Sequence, residues 1–297
     1  MNWKDALIDY QNYLKLERGL SKNSVMAYIR DLEKFTGYLE IQNIDISPIS
    51  LGLDDLKSYI HFVAESINAR SQSRYISAFR SFFHYLQLEK YRDDNPAKKL
   101  EIPKLKQHLP DTLNVEEIDK IISVVDLSKP EGERNRAIIE TLYGCGLRAS
   151  ELIGLKLSNI YFNEGLVKVL GKGNKQRWVP LADITAKFLK IYIREVRNHQ
   201  EINSKAKDIV FINRRGNGLS RVMIFNIVKS LVELAGLRKT ISPHTFRHSF
   251  ASHMVQGGAD LRTVQQILGH ESITTTEIYT HVDEAYLTSI IQFHPRA

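Results

Sequence analysis

Through the first ninety residues the apolar side chains return every three or four positions, a period that only an amphipathic helix satisfies. The stripes run Trp3, Leu7, Tyr10, Leu14; then Val25, Tyr28, Leu32, Phe35, Leu39; then Leu56, Tyr59, Ile60, Val63; then Tyr75, Phe79, Phe82, Phe83, Leu86. Ser21 and Ser71 stand where N-caps are expected, and the loop from Asn43 to Gly52 parts the second helix from the third. Each stripe needs the others to cover it, so residues 1–90 are expected to form a small helical bundle. The aromatic stripe of the fourth helix could stack on bases, but its helical spacing makes it core.

The period stops between Tyr91 and Asp111, where Pro96, Pro103 and Pro110 sit among Lys98, Lys99, Lys104 and Lys106. Residues 91–110 are therefore expected to be a basic, proline-containing linker, and residues 111–297 a second domain. Asn114 could cap a helix with Glu117 at its third position and Val115, Ile118, Ile121, Ile122 and Val125 on one face. Another helix is expected to end near Gly144. From Asn159 to Leu181 the pattern changes: Ile160, Tyr161 and Phe162 precede Asn163-Glu164-Gly165, Val167, Val169 and Leu170 follow it, and Arg177-Trp178-Val179-Pro180 comes after a Gly-rich turn. This predicts a short antiparallel sheet inside a helical domain. Further helices are expected from Asp183, Ser220, Thr245, Asp260, Thr274 and Asp283. The expected fold class is mainly α, with a small antiparallel β-sheet in the C-terminal domain.

With 43% hydrophobic and 25% charged residues, and only 16 Gly and 8 Pro in 297 positions, disordered and collagen-like classes are excluded. The longest stretch free of Asp, Glu, Lys and Arg, His248 to Ala259, is too short to span a bilayer, and Lys4, Asp5 and Asp9 stand where a signal peptide would be apolar. Cys145 is the single cysteine, which excludes an intrachain disulfide and a Cys-rich zinc module. A cytoplasmic location is expected. The net charge of +7 favours an anionic partner such as nucleic acid. Residues 1–110 carry 16 basic and 14 acidic side chains and the remainder 25 and 20, so no basic tail supplies the excess.

If Thr245 is an N-cap, His244 and Arg247 lie at the positive end of a helix that closes at Gly257-Gly258, a place that suits a phosphate. Asp260 is expected to cap the next helix and Gly269 to end it, so that His270 emerges just beyond. Thr274 and Glu277 then form a candidate capping box that puts Tyr279 early in a short helix. Taken singly, each residue has a plainer reading, a buried histidine or an amphipathic tyrosine. Two other chemistries fail on spacing. Gly165 to Lys172 has five residues between its glycines where a phosphate-binding loop has four, and Gly173 where Ser or Thr should hold magnesium. His270-Glu271 begins a zinc-protease motif that lacks its second histidine, and His244 with His248 lacks the glutamate and a third ligand.

The runs Gly146-Leu147-Arg148-Ala149-Ser150-Glu151-Leu152, Gly171-Lys172-Gly173-Asn174-Lys175-Gln176-Arg177, His244-Thr245-Phe246-Arg247-His248, Leu268-Gly269-His270 and Ile278-Tyr279-Thr280-His281 occur in the order and approximate spacing of the tyrosine recombinases, the phage integrase family. The chain resembles the bacterial Xer recombinases over nearly its whole length. Gly258-Ala259-Asp260-Leu261-Arg262 and the final His294-Pro295-Arg296-Ala297 look more like the XerD branch than the XerC branch.

The resemblance implies a site-specific recombinase that cuts and rejoins DNA without ATP, through a 3′-phosphotyrosyl intermediate on Tyr279. It implies that Arg148 and Arg247 grip the non-bridging oxygens, where a guanidinium fork serves better than an ammonium. Lys172 would be the general acid for the 5′-oxygen, His244 would exchange the tyrosine proton, and His270 would bond the phosphate. Glu151 would orient Arg148 or His244 rather than react, and His248 and His281 would be structural. No metal and no cofactor is implied. The implied architecture is a two-domain clamp on duplex DNA, with Lys98, Lys99, Lys104, Lys106, Lys175 and Arg177 as candidate DNA contacts. The partners implied are a double-stranded recombination site, a tetramer on DNA that is either a homo-tetramer or a hetero-tetramer with a second Xer recombinase, and an FtsK-type DNA translocase, with chromosome dimer resolution at cell division as the role. The segment from Asp283 to Ile291 could dock on a neighbouring protomer or cover its own core. A mobile-element integrase or excisionase is the alternative, disfavoured by the lack of an extra N-terminal arm-binding domain, and a catalytically lapsed DNA-binding protein is a third reading.

Overall fold

The computed structural model describes residues 1–103, 111–171, 175–269 and 284–297. The chain divides into two compact units, Met1–His108 and Leu109–Ala297.

In the first unit, α1 (Trp3–Leu16), α2 (Lys22–Ile41), α3 (Leu53–Ala64) and α4 (Ala69–Leu88) bury the four stripes against one another. Asn2, Ser21 and Asn68 accept hydrogen bonds from the first-turn amides of α1, α2 and α4, each cap adding about 1 kcal/mol. The cap of α4 is thus Asn68 and not Ser71, whose own N–H is the group that Asn68 Oδ1 accepts at 2.9 Å. The aromatic stripe is core: Phe79, Phe82 and Phe83 are buried, and the Phe35 ring lies 5.0 to 5.5 Å from Trp3, Tyr59 and Phe79, edge on to each. The segment after α4 turns back onto this unit. Asn95 starts a 3₁₀ turn at Pro96–Lys99, Ala97 and Leu100 are buried, and Arg80 Nη2 donates to the Leu100 carbonyl at 2.6 Å. The segment expected as a basic, proline-containing linker therefore begins as a strap on the bundle, with Lys98 and Lys99 exposed.

The second unit holds α5 (Val115–Ser123), α6 (Gly132–Gly144), α7 (Ala149–Ile153), β1 (Ile160–Tyr161), β2 (Leu166–Leu170), β3 (Gln176–Pro180), α8 (Asp183–Ile191), α9 (Arg221–Leu234), α10 (Pro243–Gln256), α11 (Leu261–Leu268) and α12 (Glu284–Ile290). Asn114 and Glu117 form the expected reciprocal cap of α5. Every side chain from Ala137 to Tyr143 is buried, which makes α6 the central post. The three strands are antiparallel in the order β1-β2-β3, with Val169 opposite Arg177 and Val167 opposite Val179. Helix α10 begins at Pro243 with Ser242 as cap, so Thr245 is its third residue rather than its cap. The Thr245 hydroxyl accepts from the Ser242 N–H at 3.1 Å, and proline at the first position needs no amide partner. Leu287 and Ile290 of α12 are buried in this unit's own core.

Candidate active site

The carbonyls of a helix's last turn have no partner inside the helix. At the end of α11, three consecutive carbonyls are each taken by a different arginine. Arg177 Nε donates to Ile267 O at 2.6 Å, Arg247 Nη2 donates to Leu268 O, and Arg148 Nη2 donates to Gly269 O at 3.1 Å. The negative end of the helix dipole thus meets three cations. Gly269 ends the helix in the left-handed region at φ +66°, and a Cβ there would stand 3.2 Å from Cδ, Nε and Nη1 of Arg177. Only glycine meets both demands without strain.

Glu151 faces the same three arginines. Its carboxylate, 3% exposed, accepts from Arg177 Nη1 and Nη2 at 2.8 and 2.9 Å and from Arg148 Nη1 at 2.8 Å, while Arg247 Nη1 stands 3.8 Å away. The local cause is helix capping. Arg148 is the N-cap of α7 and Glu151 its third residue, so the carboxylate reaches back to accept the Arg148 N–H at 2.8 Å. Burial pushes the Glu151 carboxyl up, but the Arg177 hydrogen bonds and charge, then those of Arg148, outweigh it and hold the group below the usual carboxylate range. An ionised carboxylate held among three guanidiniums still leaves positive charge in excess, which suits a phosphodiester.

Arg247, one turn into α10 and 5% exposed, donates from Nη1 to Gly146 O at 2.8 Å. Burial, followed by the charge of Arg148, lowers its pKa to about 10 against the pull of Glu151, so it stays charged at neutral pH. His244 is exposed in the first turn of α10. Partial burial, then the charges of Arg247, His248 and Arg148, put its pKa below the ordinary histidine value, so the imidazole is neutral at pH 7 and able to accept a proton.

The structure therefore brings Arg148, Glu151, Arg177, Arg247 and His244 together. Lys172, His270, Tyr279 and His281 lie outside the described residues, as do Lys104 and Lys106. The Gly171 N–H donates to Lys175 O at 2.8 Å, where β2 passes to β3. Lys175 is exposed and His248 lies on the outer face of α10. Arg177, expected among the DNA contacts, has its guanidinium committed to Glu151 and Ile267 and is 13% exposed. Strand alternation carried a signal for this, because Arg177 shares a face with buried Val179. Trp178 takes the opposite face, edge on to Tyr161 at 5.0 Å and under Lys168. Among the described residues no group of three or more His, Cys, Asp or Glu could hold a metal ion, and no helix is long and apolar enough to cross a membrane.

Comparison with known proteins gives this basic cluster its class. Residues 111–285 match the phage integrase family, and residues 7–90 match the phage integrase N-terminal SAM-like domain. The chain is 41% identical over 295 residues to tyrosine recombinase XerD of Listeria monocytogenes serotype 4b (strain F2365), covering 99% of each chain. It is 41% identical over 293 residues to tyrosine recombinase XerD of Staphylococcus aureus (strain Mu50), covering 97% of this chain and 98% of that one. Among solved structures, XerH recombinase bound to its difH substrate in a pre-cleavage complex matches with a TM-score of 0.68 and 26% identity, over 95% of this chain and 83% of that one. A lambda integrase dimer on a core site shares the fold, with a TM-score of 0.71 and 16% identity over 95% of this chain and 100% of that one. The chain belongs to the phage integrase family. It is a site-specific tyrosine recombinase, an enzyme of DNA cleavage and rejoining, and it is XerD-like within that family.

Proposed function

We propose that Tyr279 attacks the scissile phosphodiester, forming the 3′-phosphotyrosyl bond as the bond from phosphorus to the 5′-oxygen breaks. Arg148 and Arg247 bind the non-bridging oxygens, Lys172 protonates the departing 5′-oxygen, and His270 bonds the phosphate. His244 accepts the phenol proton, which its depressed pKa allows at pH 7. Glu151 orients Arg148. The single observation that carries this reading is the convergence of Arg148 and Arg247 on one buried carboxylate, at the helix end that precedes His270 in sequence, with both arginines close enough to His244 to add to burial in depressing its pKa. Rejoining is the same exchange in reverse, with a second DNA 5′-hydroxyl as the attacking group, so no ATP is spent.

Both units bind duplex DNA, with Lys98, Lys99, Lys104, Lys106 and Lys175 against phosphates. Likeness to XerD proteins supports a role in chromosome dimer resolution; the proposed setting is the cytoplasm, in a tetramer with a second Xer recombinase and under an FtsK-type translocase. A nicked suicide substrate carrying a candidate site tests the chemistry. Wild type should give a denaturant-resistant protein–DNA band and Tyr279→Phe none. A Tyr279→Phe band equal to wild type would remove Tyr279 as the nucleophile, and a specific site on a mobile element would favour the integrase role.

A further inference from the structure

Of the three arginines at the end of α11, Arg177 is the one with no assigned part in the reaction, yet it binds the carboxylate that Arg148 also holds and a carbonyl of the same helix end that the other two grip. Its Nη1 and Nη2 clasp both oxygens of Glu151, and its Nε clasps Ile267 O, two residues before the Gly269 carbonyl that Arg148 holds. It sits on β3 opposite Val169, one strand away from Gly171, where an added Cβ would stand 3.4 Å from Arg177 Nη1. One side chain therefore links the β2–β3 hairpin, the cap of α7 and the last turn of α11.

The donor geometry fits a brace better than a ligand for DNA. Each of the three guanidinium nitrogens donates to protein, and the planar fork matches the carboxylate in a bidentate pair that an ammonium cannot reproduce. Without this partner, the Glu151 carboxylate would draw on Arg148 and Arg247 alone, and the cluster would lose a third of its positive charge.

We propose that Arg177 is a positioning residue for DNA cleavage: it holds Glu151 and the end of α11 in place and so sets Arg148 and Arg247 for the scissile phosphate, without touching DNA itself. The proposal rests on those two arginines being the phosphate-binding pair.

The test compares wild type, Arg177→Met, Arg177→Lys, Glu151→Gln and the double variant Glu151→Gln/Arg177→Met on the nicked suicide substrate, with DNA affinity measured across a salt series. Arg177→Met should slow covalent-complex formation about 10- to 100-fold, the usual cost of misplacing a reacting group by a fraction of an ångström. Arg177→Lys should recover little of that loss. In the Glu151→Gln background the further cost of Arg177→Met should fall below about threefold, because the charge that Arg177 holds is gone. The slope of affinity against salt should be unchanged, whereas loss of a direct phosphate contact lowers it by about one. A lowered slope, cleavage at the wild-type rate in Arg177→Met, or full losses that multiply in the double variant would each overturn the proposal. Should Arg177→Met fail to fold, Arg177→Lys and the double variant, which removes the carboxylate together with the guanidinium that clasps it, carry the test. Salt dependence is read without cleavage, so a lowered slope defeats this proposal and spares the nucleophile reading. An unchanged slope with no covalent complex in wild type defeats the nucleophile reading and this proposal with it.

Discussion

Arg247 Nη1 donates to the Gly146 carbonyl at 2.8 Å, and Gly146 can present that carbonyl because its φ is +57°. A Cβ at Gly146 would stand 2.6 Å from Phe250 Cδ1 and 3.0 Å from Leu268 Cδ2. Gly146→Ala therefore meets both backbone strain and overpacking, and should lower the unfolding free energy by about 2–4 kcal/mol. Urea unfolding measures the loss. The same variant moves the anchor of Arg247, so cleavage should fall further than the unfolded fraction explains.

Lysine in place of Arg148 or Arg247 keeps the charge and removes the fork. Arg148 serves Glu151 and Gly269 together, and Arg247 serves Gly146 and Leu268 together. An ammonium cannot hold such pairs while facing a phosphate, so each substitution should lower the cleavage rate by about a hundredfold or more. Affinity for the site measured at fixed salt should change far less. Near-normal cleavage by either lysine variant would count against the phosphate-binding assignment.

His294 links pH to stability. Its ring packs 4.6 Å from Tyr143 and 5.2 Å from Phe250, and its Nδ1 accepts the Arg296 N–H at 3.1 Å, which requires the neutral form. Burial, then the charges of His253 and Arg296, push its pKa down to about 3. As pH falls below about 6.5 the unfolded chain takes a proton that the folded chain refuses, so stability drops, by about 2 kcal/mol at pH 5. Unfolding curves at pH 7.5 and pH 5 for wild type and His294→Gln should show that difference shrink in the variant.

Cys145 reports on opening of the second unit. It is wholly buried, and burial pushes the thiol up to about 12, so almost no thiolate exists at pH 8. A thiol reagent should label the native protein only at the rate of unfolding, and labelling should become immediate in denaturant. Fast labelling of native protein would contradict this packing.

The sequence by itself determined the elements and the inventory of reactive groups, because periodicity, caps and motifs are local. The stripe Val25, Tyr28, Leu32, Phe35, Leu39 can be buried only as a helix, and the ends of α11 are marked locally, by the Asp260 side chain that accepts the Thr263 N–H and by the left-handed backbone of Gly269. The same locality misplaced two caps. Asn68 and Ser242 win over Ser71 and Thr245 because the helices start one turn or less earlier, a choice made by which residues the core can cover. What only the tertiary structure decided is where each arginine is spent. Arg148, Arg177 and Arg247 look alike as charges in the sequence, but packing brings the end of α11 and the cap of α7 around them from positions up to 121 residues apart. A buried carboxylate and a row of unpaired carbonyls must find donors, and which guanidinium supplies them follows from the packing alone.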